Sequence, residues 1–195
     1  MNEWTRRGFI FGAATLAAYG LLLGVERVCY SARADTPEED DHAGPVTIVL
    51  FADDGTRLAA VTLPKVKKSI NEWKKQLTET QFAVTRRGST EWAYSGNLFD
   101  QHAAGIYRCM GCENAMFRSS TKFESGTGWP SFWAPIAEEN VSEKKDFSLA
   151  MLRSEVQCKL CDAHLGHLFT DGPEPTGLRY CMNSAALRFI PRSKS

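Results

Sequence analysis

Two Cys-x-x-Cys pairs, Cys109/Cys112 and Cys158/Cys161, constrain the fold of this chain more than any other feature. They are separated by 45 residues, 113–157. A thiolate pair at this spacing comes from one tight turn, and two such turns complete a tetrahedral zinc site. The alternatives are two short disulfides, or one redox-active pair beside one structural pair. Because four thiolates leave no open coordination position, a zinc ion here would stabilise the fold rather than catalyse a reaction.

Length and charge limit the broad class of the protein. A chain of 195 residues is long enough for one main domain with appendages. The formal net charge is zero, and no run of basic residues occurs. The charge therefore argues against nucleic acid as the main partner.

The N-terminal segment, residues 1–34, has the parts of an export signal. Arg6-Arg7 precede an apolar run from Gly8 to Gly24, and Ala32-Arg33-Ala34 resembles a cleavage site. The adjacent arginines resemble those of a twin-arginine signal. We therefore expect an exported, periplasmic protein whose only membrane contact is this segment. An ordinary signal peptide and an uncleaved membrane anchor are the alternatives.

The next segments predict a linker and a small hairpin. Residues 35–45 are acidic and contain proline and glycine, which is typical of a solvated linker. Two β-prone runs flank Asp53-Asp54-Gly55, so residues 46–64 are expected to form a β-hairpin that precedes the main domain, residues 65–195.

The main domain is predicted to be mainly β, with short helices at its start. Ser69 can cap one short helix, and Thr78 can cap a further turn over Glu79–Phe82. From there the pattern is of short β segments, without helical periodicity. The expected fold is mostly antiparallel β, with zinc joining two loops. The predicted strands are Gln81–Thr85, Gly105–Arg108, Ala115–Phe117, Arg153–Gln157, Leu165–Phe169 and Leu187–Ile190.

One cysteine of the exported chain would not be a metal ligand. Cys29 would leave with the signal, so Cys181 is the odd cysteine of the exported chain. Polar side chains cluster near it in the sequence, and a cationic neighbour such as an arginine lowers a thiol pKa. This pattern predicts an active site around a nucleophilic or redox-active thiol. The clustered residues are His164, His167, Asp171, Arg179 and Asn183.

A glycine-rich aromatic turn, residues 126–133, is the second candidate part of that site. Its glycines and its proline fix an unusual backbone path, and the path presents aromatic rings. Buried core aromatics are the simpler interpretation. The crowding of Trp129 and Phe132 in one turn favours instead the wall of a small apolar pocket.

Five stretches carry a more specific pattern: Lys74–Thr85, Gly105–Cys112, Lys122–Phe132, Glu155–Phe169 and Asp171–Phe189. In these stretches the chain resembles the methionine sulfoxide reductases of the B type, over roughly residues 70–191. The resemblance implies a fold of two twisted antiparallel sheets pinned by one structural zinc. It also implies an enzyme that reduces methionine-R-sulfoxide in oxidised proteins and as the free amino acid. We expect a monomer.

The resemblance implies a role for each candidate residue. Cys181 would attack the sulfoxide sulfur and become a sulfenic acid. His167 and His164 would supply the proton and a hydrogen bond. Asp171, Arg179 and Asn183 would form the polar network around the thiolate. Trp129 and Phe132 would contact the substrate, with the ring of Trp129 facing its S-methyl group. The zinc ligands would be Cys109, Cys112, Cys158 and Cys161.

Two departures from the family pattern matter. Thr127 stands where many members have a resolving cysteine, so we expect a thioredoxin-like or other external thiol to reduce the sulfenic acid. Glu113-Asn114 follow the first cysteine pair where a glycine is common, which would alter that turn but spare the ligands.

Two other functions compete with the reductase. A zinc-ribbon binding module without catalysis would leave Cys181 incidental, and it would leave the glycine-rich turn unexplained. Thiol–disulfide exchange through one Cys-x-x-Cys pair would instead require that the metal be absent from that pair.

Overall fold

The computed structural model describes residues 44–146 and 153–192. The predicted signal, with Cys29, and residues 35–43 of the predicted linker lie outside these ranges. Within them, no helix is both long and apolar enough to cross a membrane. The elements in chain order are β1 (Val46–Phe51), β2 (Arg57–Leu63), α1 (Ile70–Gln76), α2 (Glu79–Arg87), β3 (Gly105–Cys109), β4 (Ala115–Arg118), β5 (Lys122–Phe123), β6 (Ser131–Phe132), β7 (Val141–Asp146), β8 (Arg153–Cys158), β9 (His164–Phe169), β10 (Arg179–Met182) and β11 (Leu187–Pro191).

The strands of the main domain form two antiparallel sheets. The larger has six strands in the order β5-β6-β10-β9-β8-β7, and the smaller has three in the order β11-β3-β4. A third sheet is the hairpin of β1 and β2. The expectation of a mainly β fold with antiparallel sheets and few helices is confirmed.

The order of the larger sheet places β9 and β10 at its centre. They pair with each other, and they lie between β8 on one side and β6 on the other. Strand β10, which is not among the strands predicted from the pattern, pairs with β9 from Arg179 opposite Phe169 to Met182 opposite Gly166. Residues from two distant parts of the sequence therefore meet along β10.

Both helices begin with a complete capping box. Ser69 caps α1 and Thr78 caps α2, and in each case the third helical residue returns a hydrogen bond to the cap backbone. Helix α2 ends at Gly88, whose φ of 67° is left-handed. The prediction of a strand at Gln81–Thr85 is wrong, because these residues form the middle of α2. The helix that Thr78 caps has nine residues, whereas the sequence predicted a single turn over Glu79–Phe82.

Aromatic side chains fill the space between the two main sheets. Phe117 of β4 stacks on Phe132 of β6, with ring centroids 4.3 Å apart. Tyr107 meets Phe132 edge-on at 4.9 Å, and Tyr180 lies tilted against Phe117 at 5.8 Å. Since each fully buried large aromatic contributes about 3–5 kcal/mol when compared with alanine, this cluster is a main source of stability for the domain.

Asn140, which is fully buried, attaches the hairpin to the main domain. Its Oδ1 accepts from the backbone N–H of Val49 at 2.7 Å, and its Nδ2 donates to the Val49 carbonyl at 2.9 Å. The same Nδ2 donates to the Ala115 carbonyl at 2.8 Å. One amide thus joins β1 to β4 by hydrogen bonds.

Candidate active site

A small cavity of about 130 Å³ opens beside the central strands of the larger sheet. Three of the predicted site residues, Cys181, His167 and Asn183, line it, and so does Trp129 of the glycine-rich turn. Its wall is partly apolar and partly polar, which is typical of a site that holds one side chain in a fixed orientation. The remaining lining residues are Thr90, Gly166, Phe169 and Met182.

Cys181 is placed by its pairing on both sides of β10. It lies opposite His167 of β9 and opposite Ser131 of β6. Directly opposed residues of antiparallel strands have Cβ atoms about 4.5–5.5 Å apart. The register therefore holds the thiol between an imidazole and a hydroxyl.

A chain of hydroxyl groups reaches the thiol from the glycine-rich turn. Thr127 Oγ1 lies 3.8 Å from Cys181 Sγ and 2.8 Å from Ser125 Oγ. Ser125 Oγ in turn lies 2.7 Å from Ser131 Oγ. Thr127 therefore takes part in the site as a hydrogen-bonding group.

Arg179 shares the Cys181 face of β10 and is almost fully buried. Its Nε and Nη2 donate to the two oxygens of Asp171, each at 2.8 Å. Its guanidinium carbon lies 4.2 Å from the centroid of the Phe169 ring. The hydrogen bonds from Arg179 hold the pKa of Asp171 below its ordinary value. This pair fixes a positive charge behind the thiol.

Opposing effects act on the Cys181 thiol. Burial raises its pKa above the ordinary value, and this effect is larger than the opposing effects of Thr127, Arg179 and Ser131, all of which lower the pKa. Sequence reasoning expected the arginine to lower the thiol pKa, and its effect has that direction. The net direction is upward because the thiol is largely removed from water.

The two histidines occupy different layers of the site. His167 lines the cavity, whereas His164 lies behind it, only 4% exposed, with ring centroids 5.4 Å apart. His164 Nδ1 lies 2.7 Å from Glu155 Oε1. This contact fixes the orientation of the His164 ring. Among the described residues, nothing hydrogen-bonds to the buried Nε2 of His164.

Glu91, which the sequence did not single out, connects three parts of the site. Its backbone N–H donates to Asn183 Oδ1 at 3.0 Å, and its carbonyl accepts from Trp129 Nε1 at 3.1 Å. Its carboxylate accepts from the backbone N–H groups of Ser184 and Ala185, at 2.5 and 2.9 Å. The Nδ2 of Asn183 donates to the Leu165 carbonyl of β9 at 3.0 Å, so both ends of this amide are hydrogen-bonded.

The structure separates the two predicted substrate contacts. Trp129 lines the cavity. Phe132 is 0% exposed and lies in the aromatic core between the sheets. The prediction of Phe132 as a substrate contact is therefore corrected. Residues that are neighbours on a strand point to opposite faces, so Ser131 faces the thiol and Phe132 faces the core.

The four cysteines of the two pairs come together in one cluster. Their sulfur atoms all lie within 4.8 Å of one another. Cys109 Sγ is 3.7 Å from Cys161 Sγ, and Cys112 Sγ is 3.5 Å from Cys158 Sγ. A tetrahedron with bonds of about 2.3 Å to zinc has sulfur atoms about 3.8 Å apart. The donor set and its spacing therefore fit a tetrahedral metal ion.

Both cysteine pairs adopt the same backbone turn. In each, the residue after the second cysteine is left-handed, Glu113 at φ 63° and Asp162 at φ 54°. In each, that residue's N–H donates to the carbonyl of the first cysteine, at 2.9 and 2.8 Å. Glu113 thus adopts the conformation for which glycine is the easier residue. The ligands keep their places despite this departure.

Without a cation, the close packing of the four cysteines opposes the ionisation of Cys109. Hydrogen bonding with the neighbouring cysteines, followed by burial, raises the pKa of the Cys109 thiol well above its ordinary value. A cation at the centre would reverse this effect, because it stabilises all four thiolates. Arg86 already contributes one charge, and its Nη2 lies 3.3 Å from Cys161 Sγ.

Sequence reasoning missed four residues that act at the site or at the metal cluster. Glu91 and Arg86 lie outside the five stretches that carry the family pattern, and their partners are more than 70 positions away. Ser125 and Glu155 lie inside two of those stretches, Lys122–Phe132 and Glu155–Phe169, so their signal was present, but each acts through another side chain.

Comparison with known proteins gives a consistent result. Residues 77–191 match the SelR domain. The chain is 53% identical over 127 residues, which are 65% of it and 91% of the relative, to a peptide methionine sulfoxide reductase MsrB of Hahella chejuensis. The chain is also 51% identical to a peptide methionine sulfoxide reductase MsrB of Pseudomonas aeruginosa PAO1. The match covers 130 residues, which are 67% of this chain and 98% of that relative. The Bradyrhizobium diazoefficiens protein of the same name is 52% identical over 128 residues, which are 66% of this chain and 92% of that relative.

Proposed function

This chain belongs to the SelR-domain family of peptide methionine sulfoxide reductases, and we propose that it reduces methionine-R-sulfoxide in proteins to methionine. The observation that carries this function is the cavity in which the one cysteine outside the metal cluster, among the described residues, meets His167, Asn183 and Trp129. A side chain the size of methionine sulfoxide suits a cavity of about 130 Å³.

The first step transfers one oxygen atom. The Cys181 thiolate attacks the sulfoxide sulfur, and the sulfur–oxygen bond of the substrate breaks as the oxygen passes to Cys181. The oxygen takes up one proton, so the products are methionine and a cysteine sulfenic acid. Two electrons thus pass from the cysteine to the substrate sulfur. His167, opposite Cys181 across the strand pair, is the candidate proton donor.

The surrounding residues hold the reacting groups in place. Glu155 fixes the orientation of His164, and the ring of His164 lies edge-on to the ring of His167. Asn183 and Trp129 are held from opposite sides by the backbone of Glu91, so the polar and apolar walls keep a constant separation. Arg179 and Thr127 stabilise the thiolate against the cost of its burial.

The second step requires a thiol from outside. The other four described cysteines belong to the metal cluster, and Thr127 lies beside the reactive sulfur. Two external thiols, as in a thioredoxin-like donor, would return the sulfenic acid to a thiol and release water and their own disulfide. Atoms and electrons balance in this exchange.

Zinc is the metal that the cluster suits best. Cys109, Cys112, Cys158 and Cys161 would hold it as thiolates, with no position open for water or substrate. Its contribution is to the fold, since the two pairs follow strands of different sheets, β3 and β8.

Export to the periplasm is part of the same proposal. Its support is the sequence alone: the arginine pair Arg6-Arg7, the apolar run and the small residues at Ala32–Ala34. Expression of the full chain should give a processed form in the periplasmic fraction. Replacement of both arginines by lysine should leave the unprocessed form inside the cell.

The reductase function is tested with the separate sulfoxide isomers of a methionine peptide and dithiothreitol as the donor. The wild type should reduce the R isomer and leave the S isomer unchanged. Cys181→Ser should abolish turnover but retain a full equivalent of zinc. A zinc-binding module without catalysis would show no turnover in the wild type, and this result would overturn the proposal.

A further inference from the structure

An exposed aromatic ring stands beside the cavity. Trp92 is 86% exposed, compared with 58% for Leu58 on the hairpin. Next to it runs a groove of about 460 Å³. We call Trp92 and this groove the Trp92 surface. The residues that line the groove next to Trp92 are Ser95, Gly96, Asn97, Ser184 and Ala185. Tryptophan is enriched at binding interfaces compared with the rest of a protein surface.

The backbone that carries Trp92 is held firmly. The preceding residue, Glu91, makes hydrogen bonds through its N–H, its carbonyl and both carboxylate oxygens. The Trp92 carbonyl accepts from the N–H of Ser95 at 3.2 Å and from its hydroxyl at 2.7 Å. A ring on a fixed backbone loses little conformational freedom when it binds a partner. The Trp92 surface is therefore preorganised.

The groove and the cavity are lined by neighbouring positions of the chain, Thr90 and Asn183 in the cavity and Glu91 and Ser184 in the groove. Thr90 lines the cavity, and two residues later Trp92 lines the groove, so their Cα atoms are at most about 7.6 Å apart. A cavity of about 130 Å³ holds one side chain, so the rest of a polypeptide substrate must leave across its rim. An extended chain advances about 3.3 Å per residue. A residue two or three positions from the sulfoxide would therefore reach Trp92.

The groove lining determines which partner fits. Its one charged residue is Glu91, whose carboxylate oxygens already accept from Ser184 and Ala185. The rest are hydroxyl, amide, small or aromatic side chains. Such a surface offers hydrogen bonds to a peptide backbone and apolar contact to its side chains, without selecting for charge. This suits a polypeptide of variable sequence.

We propose that the Trp92 surface binds the polypeptide that flanks the methionine sulfoxide. The proposal rests on the proposed reductase function. It locates the recognition of the protein chain outside the cavity, on a loop that carries no part of the reacting thiol.

The test compares two substrates in the full-length protein. One is N-acetyl-methionine-R-sulfoxide, and the other is a flexible ten-residue peptide with a central methionine-R-sulfoxide. Trp92→Ala should lower kcat/KM for the peptide about tenfold, mainly through KM, and change the single-residue value less than about twofold. Trp92→Phe should retain most of the peptide activity. The matched control is Leu58→Ala, which removes another exposed apolar side chain and should change neither value.

Fluorescence anisotropy of the labelled peptide measures the same surface without turnover, and Trp92→Ala should weaken the binding about tenfold. Equal losses on both substrates, or no loss on the peptide, would overturn the Trp92 surface as the docking site. A wild type that reduces neither substrate would instead count against the reductase function, and the anisotropy result would still decide the docking proposal.

Discussion

At the scale of single residues, the thiol of Cys181 is set by a balance between burial and hydrogen bonding. Burial raises its pKa, and Thr127, Arg179 and Ser131 each lower it. The resting group is therefore a thiol over most of the physiological pH range. Each polar neighbour increases the fraction that is ready to attack.

Thr127→Val should raise the pKa of Cys181 further, because it removes the hydroxyl 3.8 Å from the sulfur. The loss of one hydrogen bond of about 1 kcal/mol to the thiolate corresponds to about a fivefold lower thiolate fraction at neutral pH. The rate of alkylation by iodoacetamide, followed from pH 6 to 10, measures this shift. Thr62→Val on the hairpin is the control. An unchanged pH profile would show that Thr127 does not act on the thiol.

Thr127→Cys should create an internal disulfide partner. The replaced oxygen lies close enough to Cys181 that a small side-chain movement reaches the S–S distance of about 2.05 Å. After treatment with a methionine sulfoxide substrate, mass spectrometry should find a disulfide between residues 127 and 181 in the variant. The wild type should show none at Cys181. A wild-type disulfide to a cysteine of the metal cluster would contradict direct reduction by an external thiol.

At the scale of elements, the pairing of β9 with β10 sets the distance between the histidines and the thiol. Gly166 lies between His164 and His167 on β9, opposite Met182. A Cβ atom at Gly166 would lie 2.1 Å from the Cys181 carbonyl oxygen and 2.9 Å from Met182 Cα. Only glycine allows this close approach of the strands.

Gly166→Ala should therefore separate the strands at the reactive cysteine. A misplacement of about 1 Å costs roughly 100-fold in rate, so kcat should fall by about that factor. The zinc content should stay near one equivalent, because the cluster lies beyond the start of β9. Gly44→Ala, where a Cβ atom meets nothing within 4 Å, is the control. Normal turnover in Gly166→Ala would show that the strand spacing does not position the thiol.

The hairpin depends on one buried amide. Asn140→Ala removes three hydrogen bonds, two to Val49 and one to Ala115. At about 1 kcal/mol or more for each buried group left unpaired, the free energy of unfolding should fall by about 3 kcal/mol. Amide hydrogen exchange in β1 and β2 should accelerate most. Thr47→Val, which removes only an exposed bond to Thr62, should change exchange little. Uniform acceleration across the domain would show that the hairpin is not a separate unit.

Sequence reasoning succeeded where the chemistry is local and failed where it depends on packing. The cysteine pairs and the residues around Cys181 carry their meaning within a few positions, so their grouping could be predicted. The contacts of Glu91 with Ser184 and Ala185 join segments more than 90 positions apart, and only the fold shows them. Phe132 was misassigned because the pattern gives the aromatic ring but not the face on which it lies. The strand predicted at Gln81–Thr85 failed because the β-prone residues Phe82, Val84 and Thr85 lie in a nine-residue helix that is capped at Thr78 and at Gly88.

At the scale of the whole molecule, the metal cluster joins the two main sheets and is covered by one helix. Arg86 of α2 donates to Cys161 at its sulfur and at its carbonyl, 3.3 and 2.8 Å away, and it stacks on Trp73 of α1 at 4.0 Å. A positive group at a thiolate ligand reduces the charge that the metal site must hold.

Arg86→Ala should accelerate zinc release about tenfold, because groups that contact metal ligands typically change metal affinity 10–100-fold. A chromophoric chelator measures the release. Arg87→Ala is the matched control, because Arg87 is next to Arg86 in the sequence but lies over the Phe82 ring. Equal release rates in the two variants would exclude a role for Arg86 at the metal.

The strand order of the larger sheet has a consequence for how the protein is made. Strands β5 and β6 form one half of the sheet and β7 and β8 the other, and the two halves have no contact in the sheet until β9 and β10 lie between them. During synthesis, the N-terminal three-quarters of the domain therefore emerges with its sheet incomplete. Strands β9 and β10, which are made after the other four strands of this sheet, both close the sheet and supply the reactive sulfur, and such long-range pairing is slow to form. A chain that ends before β9 thus lacks both the closed sheet and the reactive sulfur, so the site can form only after β10 has been made.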